Sequence, residues 1–234
     1  MDDDPFCVYN GIMIPDSDTI RNSVAPGKAL SLVERIADRA VNGKGPFLSA
    51  HELAFTYLND ARYKTNEERI NAMIRWESSK NFGTGFVSGL GGLVTLPASI
   101  PASLGASWVV QARLAGAIAI IHGHSVYDDR VRTMILLSLI GNSAMDELKR
   151  LGIELGNKAL YSALRQLSGR VIMEINRAVG FRLIARTGQK GLLGLSQVLR
   201  LSGGVIGGLF DGFTCRTVGR VADSLFAPGP ETTA

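Results

Sequence analysis

Three observations predict an all-α fold, a compact multi-helix bundle built around glycine-rich apolar helices. Apolar residues recur at helical spacing in segment after segment. The stretch from Asn81 to Ala112 contains no Asp, Glu, Lys or Arg, and a second run, Leu201 to Cys215, repeats its mixture of small residues, aliphatics and aromatics with one acid, Asp211. No stretch alternates apolar and polar residues between hairpin turns, which is what a half-buried strand would show. With 234 residues, 46% of them apolar and 20% charged, the chain can bury a substantial core and lies outside the disordered class. One helical domain is expected over residues 27–226. It is flanked by a mobile or loosely docked tail at 1–26, rich in turn formers and scattered aromatics, and by a frayed tail at 227–234.

The elements follow in order. From Lys28 to Val41, Leu32, Val33, Ile36, Ala37 and Ala40 share one face and Glu34, Arg35, Asp38 and Arg39 the other, and Asn42-Gly43 stops the helix. Ser49 with Glu52 forms a capping box before a helix over about Ala50 to Tyr63, and Thr65 with Glu68 repeats the device before a helix on which Ile70, Met73, Ile74 and Glu77 share a face. Pro97 and Pro101 divide the uncharged stretch into a glycine-rich segment and a helix that begins near Pro101, carries small residues along its length and ends at Gly123. Asp128-Asp129 opens the next helix, which reads as buried on most sides and is punctuated by Gly141-Asn142. An amphipathic region from Ala144 to Arg186 is interrupted by Gly152, Gly156 and Gly169, and Gly188 to Gly194 reads as a turn-rich link into the last helix, which runs to about Phe226.

Composition excludes several function classes. A net charge of +4, with acids and bases interspersed, gives no electrostatic footprint for nucleic acid, and the basic residues from Lys158 to Lys190 read as a solvated helix face. Cys7 and Cys215 lie far apart without ligand spacing, so neither a disulfide framework nor a thiolate metal site is expected. The start, MDDDPF, is acidic and lacks an apolar run, which argues against a secretory signal and for a cytoplasmic location. No G-x-S-x-G, H-E-x-x-H, phosphate-binding or dinucleotide-binding motif is present, and no cofactor is expected.

The segment GFVSGLGGLVTLPASIPASLGASWVVQARLAGAIAIIHGHSVYDD, from Gly85 to Asp129, resembles the signature of the EcsC family, and so does GGVIGGLFDGFTCRTVGRVADSLF, from Gly203 to Phe226. The first block is the more specific, since its glycines, two prolines, Gln111-x-Arg113 and a Gly-His-x-x-x-Asp ending occur together. Where relatives often carry Gly-Tyr-Asp, this chain has Gly123-His124-Ser125, with its acids displaced to Asp128 and Asp129. The resemblance implies bacterial ancestry and an association with membranes or transport, without an established reaction or cofactor.

Arg113 and Asp211 are each the sole charge in a long apolar environment, and a buried ion needs a partner, so the two are expected to meet and tie the glycine-rich helices together. Glycines four apart, as at Gly85 and Gly89 or Gly203 and Gly207, permit close helix contact. Gln111, His122 and His124 are further candidate ligand or pocket residues. His122 and His124 with Asp128 and Asp129 have the chemistry of a divalent metal site, but helix-end roles account for all four, with the histidines at a C-terminus and the aspartates capping the next helix. The expected function is non-enzymatic binding of a lipid or a membrane-protein partner through the glycine-rich core, in the cytoplasm or at the inner face of the membrane. The alternative is an enzyme acting on a hydrophobic small substrate in an inter-helix pocket, using Asp211, Arg113 or His122.

Overall fold

The computed structural model describes residues 6–9, 12–15, 25–43, 48–82, 102–153, 166–194 and 203–227. Among these are eight helices: α1 (Pro26–Asn42), α2 (Ala50–Leu58), α3 (Asn66–Phe82), α4 (Ala102–Ile121), α5 (Asp129–Leu139), α6 (Ser143–Arg150), α7 (Gly169–Gly194) and α8 (Gly203–Phe226). The core is all-α, as its periodicity predicts.

Helix α4 is the axis of the bundle. Every residue from Gly105 to Ala119 is buried, and α1, α2, α3, α5 and α8 all pack against it. A helix that is apolar all round has nowhere else to sit in a folded protein. Its ends are set by local chemistry. Gly123, at φ 85°, closes it in a Schellman motif: Gly123 N–H donates to Ile120 O and His124 N–H to Ala119 O. Gly152, at φ 74°, ends α6 in the same way, its N–H reaching Lys149 O and that of Ile153 reaching Leu148 O.

The capping boxes form as the sequence predicts. Ser49 Oγ accepts from Glu52 N–H at 3.1 Å while Glu52 Oε2 accepts from Ser49 N–H at 2.6 Å, and Thr65 and Glu68 make the same exchange. Asp128 caps α5 by accepting from Arg130 N–H at 2.7 Å.

Register fixes how the central helices run. Asn66 donates to Ile121 O and Arg113 pairs with Glu77, so α3 is antiparallel to α4. Gly219 of α8 lies against Ile74 of α3 and Leu114 of α4, and Asp223 meets His122, so α8 runs parallel to α4 and antiparallel to α3. The C-terminus of α3 and the N-termini of α4 and α8 therefore share one end of the bundle.

Three glycines sit where helices touch. A Cβ on Gly219 would lie 2.7 Å from Ile74 Cγ1, one on Gly116 would lie 3.0 Å from the Ala50 Cβ, and one on Gly180 would fall on the backbone of Ala29 in α1. Close backbone approach is thus the use of these glycines.

The structure differs from the sequence expectations in three places. The helix expected to reach Tyr63 stops at Leu58, because the Asp60 carboxylate accepts from both the backbone N–H and the guanidinium of Arg62 and fixes a turn there instead. Residues 188–194, expected as a link, continue α7: each glycine costs a helix only about 1 kcal/mol, too little to break it unaided. Within the expected N-terminal tail, Phe6–Tyr9 and Ile12–Pro15 pair as an antiparallel hairpin, with Tyr9 opposite Ile12. The intervening Asn10-Gly11 is the strongest short hairpin signal a sequence carries. The alternation test missed it because all eight paired residues are apolar. The first glycine-rich segment, including Gly85 and Gly89, lies at 83–101, outside the described residues, as do 154–165 and the tail beyond 227.

Candidate functional site

The polar groups singled out by the sequence are distributed along α4. Arg113 is buried, and its Nη2 lies 2.5 Å from Glu77 Oε2 on α3. Both side chains are more than nine-tenths withdrawn from water, and the pair joins two helices 36 positions apart in sequence. Two matched charges in this setting form a lock: separately, each would be an uncompensated ion in an apolar core. Asp211, the partner expected from sequence, is part of α8, but its side chain lies outside the described set. Glu77 shares a face of α3 with Ile70, Met73 and Ile74 in the sequence pattern, which did not single it out as the partner of Arg113; an acid in register with apolar residues is the signal that could have found it.

Gln111 is also buried and spends its amide N–H on Ser107 Oγ, one turn earlier, at 3.0 Å. Its Oε1, together with Ser78 Oγ and Arg113 Nε, is buried without a hydrogen-bond partner among the described residues. The core around α4 thus carries polar capacity that packing does not exhaust.

At the opposite end of α4 the histidines act as a clasp on the last turns of α8. His122 Nε2 is 2.8 Å from Asp223 Oδ1, and His124 Nε2 is 3.1 Å from Phe226 O, with the His124 and Phe226 rings 5.4 Å apart. Phe226 is itself fully buried. The imidazoles are committed to these contacts, and Asp128 to its cap. Among the described residues no group of three or more His, Cys, Asp or Glu could hold a metal ion.

Charge also shapes the surroundings of the Arg113–Glu77 pair. Burial pushes the Tyr57 hydroxyl up to about 12, and the nearby Glu77 carboxylate adds to the effect. A second buried acid, Glu147 of α6, is held by Arg182 Nε of α7 at 2.6 Å. Of the described helices, none is long and apolar enough to cross a membrane.

No family model matches the chain, and neither a curated protein nor a solved structure is similar to it.

Proposed function

We propose that this is an EcsC-like protein that binds a lipid or a membrane-protein partner, without catalysing a reaction, through its glycine-rich helical core. One observation carries this reading: the C-terminus of α3 and the N-termini of α4 and α8, which flank or contain the glycine-rich runs, lie at the same end. Residues 83–101, between α3 and α4 in sequence, contain no Asp, Glu, Lys or Arg. An uncharged segment flanked by helix termini is suited to meet an apolar surface, because no ion has to be desolvated on contact. The protein would act at the inner face of the membrane as a peripheral component.

Vesicle flotation tests the proposal. The full chain is expected to rise with neutral or anionic vesicles, or to crosslink to a membrane protein in native membranes. Protein that stays wholly in the soluble fraction and yields no membrane-protein adduct would remove it. A Val94→Asp substitution in the uncharged segment should abolish the association and leave the thermal transition in place.

A further inference from the structure

The hairpin near the N-terminus has two unlike edges. Its strands, β1 (Phe6–Tyr9) and β2 (Ile12–Pro15), pair only with each other among the described residues. The two-residue loop Asn10-Gly11 makes Tyr9 and Ile12 the first hydrogen-bonded pair of the antiparallel ladder, and Cys7 and Ile14 the next. The alternate residues direct their backbone groups away from the hairpin. On β1 these are Phe6 and Val8, each offering an N–H and a C=O. On β2 they are Met13 and Pro15, and Pro15 has no N–H. The β1 edge is therefore complete, whereas the β2 edge is blunted by proline, a residue that natural sheets place where pairing is to stop.

A lone two-stranded hairpin is marginal in water and gains stability as strands are added. The β1 edge is complementary to itself. With two copies of β1 antiparallel and Cys7 opposite Cys7, Phe6 of each copy lies opposite Val8 of the other, and every outward N–H and C=O of these residues finds a partner. An aromatic residue facing a β-branched one is also a favoured cross-strand combination. Charge selects the same direction. Asp2, Asp3 and Asp4 precede β1 and Asp16 and Asp18 follow β2, so antiparallel copies send their acids to opposite ends of the joint sheet, and parallel copies would bring them together. Hydrocarbon is a poor substitute for the second copy, because it would leave the edge amides unsatisfied. We propose that β1 is the dimerisation edge of this protein, joining a second copy of the chain in an antiparallel sheet of order β2-β1-β1-β2. Proline on both outer strands ends that sheet at two copies. The proposal rests on the hairpin alone and is independent of the function proposed for the glycine-rich core.

This register puts Cys7 of the two copies in a non-hydrogen-bonded pair, with Cα atoms about 4.5 Å apart, inside the span of about 4.4–6.8 Å that a disulfide bridges. The test is sedimentation velocity of the full, reduced chain together with diamide crosslinking. A concentration-dependent equilibrium between monomer and dimer, without larger species, is expected. Diamide, a diazene that takes up the two electrons and two protons released when thiols join, should link the copies through Cys7. Cys7→Ser should abolish the crosslink and keep the dimer, and Cys215→Ala, at a buried cysteine of α8, should leave both unchanged. A matched pair of variants tests the edge. Val8→Pro removes an outward N–H of β1 and should raise the dissociation constant of the dimer at least about tenfold. Met13→Pro, directly across the hairpin, removes an outward N–H of β2 and should leave the dimer in place. Unchanged helical circular dichroism and thermal transition in both variants report an intact bundle. A chain that stays monomeric up to about 100 µM overturns the assignment and leaves the edge to a different protein. Equal effects of the two proline variants, or a crosslink that survives Cys7→Ser, overturn it as well.

Discussion

The surroundings of α4 and the α1–α7 pair solve helix packing in opposite ways. Around α4 the helices approach closely: Gly219 admits Ile74 and Leu114, Gly116 admits Ala50, and Arg113, the one buried Lys or Arg among the described residues, is paired with Glu77. The α1–α7 pair touches equally closely at Gly180 and Ala29, yet Gly169, Ile172, Met173 and Asn176 line a cleft that α1 and α5 complete, with the exposed Glu34 and Asp129 and the half-buried Arg130 and Arg132 around it. The difference teaches that a charge withdrawn from water is given a matched partner inside the fold, while charges at an open cleft stay hydrated and need none. Neutral acceptors of the closed bundle, Gln111 Oε1 and Ser78 Oγ, go without a partner among the described residues.

The largest effect expected is at the buried pair. Arg113→Met should destabilise the fold by about 3–5 kcal/mol in chemical denaturation, because the buried Glu77 carboxylate loses its guanidinium counter-charge. The double variant Glu77→Leu/Arg113→Met should recover most of that loss. If the two single variants simply add, the pair is not coupled and the contrast with the cleft fails. Next is Gly180→Ala, expected to cost roughly 1–3 kcal/mol because the added methyl meets backbone, which cannot rotate aside. The exposed Gly27→Ala of α1, whose Cβ would meet nothing, is the control and should be neutral or slightly stabilising.

Smaller effects come from titration. Tyr57 has a folded-state value raised from 10.0 to about 12, so its contribution to stability is complete below pH 10 and is lost as the pH rises toward 12. A Tyr57→Phe variant should remove that part of the alkaline unfolding, which near-ultraviolet spectroscopy across the window would measure. The smallest effect lies at acid pH. The Ser49 and Arg62 hydrogen bonds hold Glu52 and Asp60 below their ordinary values, so their contribution is present above about pH 4.5 and fades as the pH falls through the lowered values. Ser49→Ala should cost about 1 kcal/mol at neutral pH and flatten the Glu52 part of that acid slope.

Much of this contrast was legible in the sequence on the closed side and little on the open side. The uncharged run announced α4 as a buried helix, whereas Glu77 was visible only as an acid in register with Ile70, Met73 and Ile74, and the buried acid expected for Arg113 was Asp211. The pairing of Arg113 with Glu77 needed the antiparallel register of α3 and α4, which no local pattern encodes. The clasp on α8 was half visible: two histidines at the end of α4 were recognisable, while their partners Asp223 and Phe226 O lie about 100 residues away. Glu34 and Asn176 gave no sequence signal, Asp129 was legible only as part of the acidic start of α5, and only the fold brings the three to one cleft.

The contact at Gly180 acts as a fulcrum for α7. Gly169 stands eleven residues from it, about 16 Å along the helix axis, so a tilt of about 10° at the fulcrum moves that end of the cleft by about 3 Å. Bulk added at 180 would therefore widen the aperture at a distance as well as strain the contact itself.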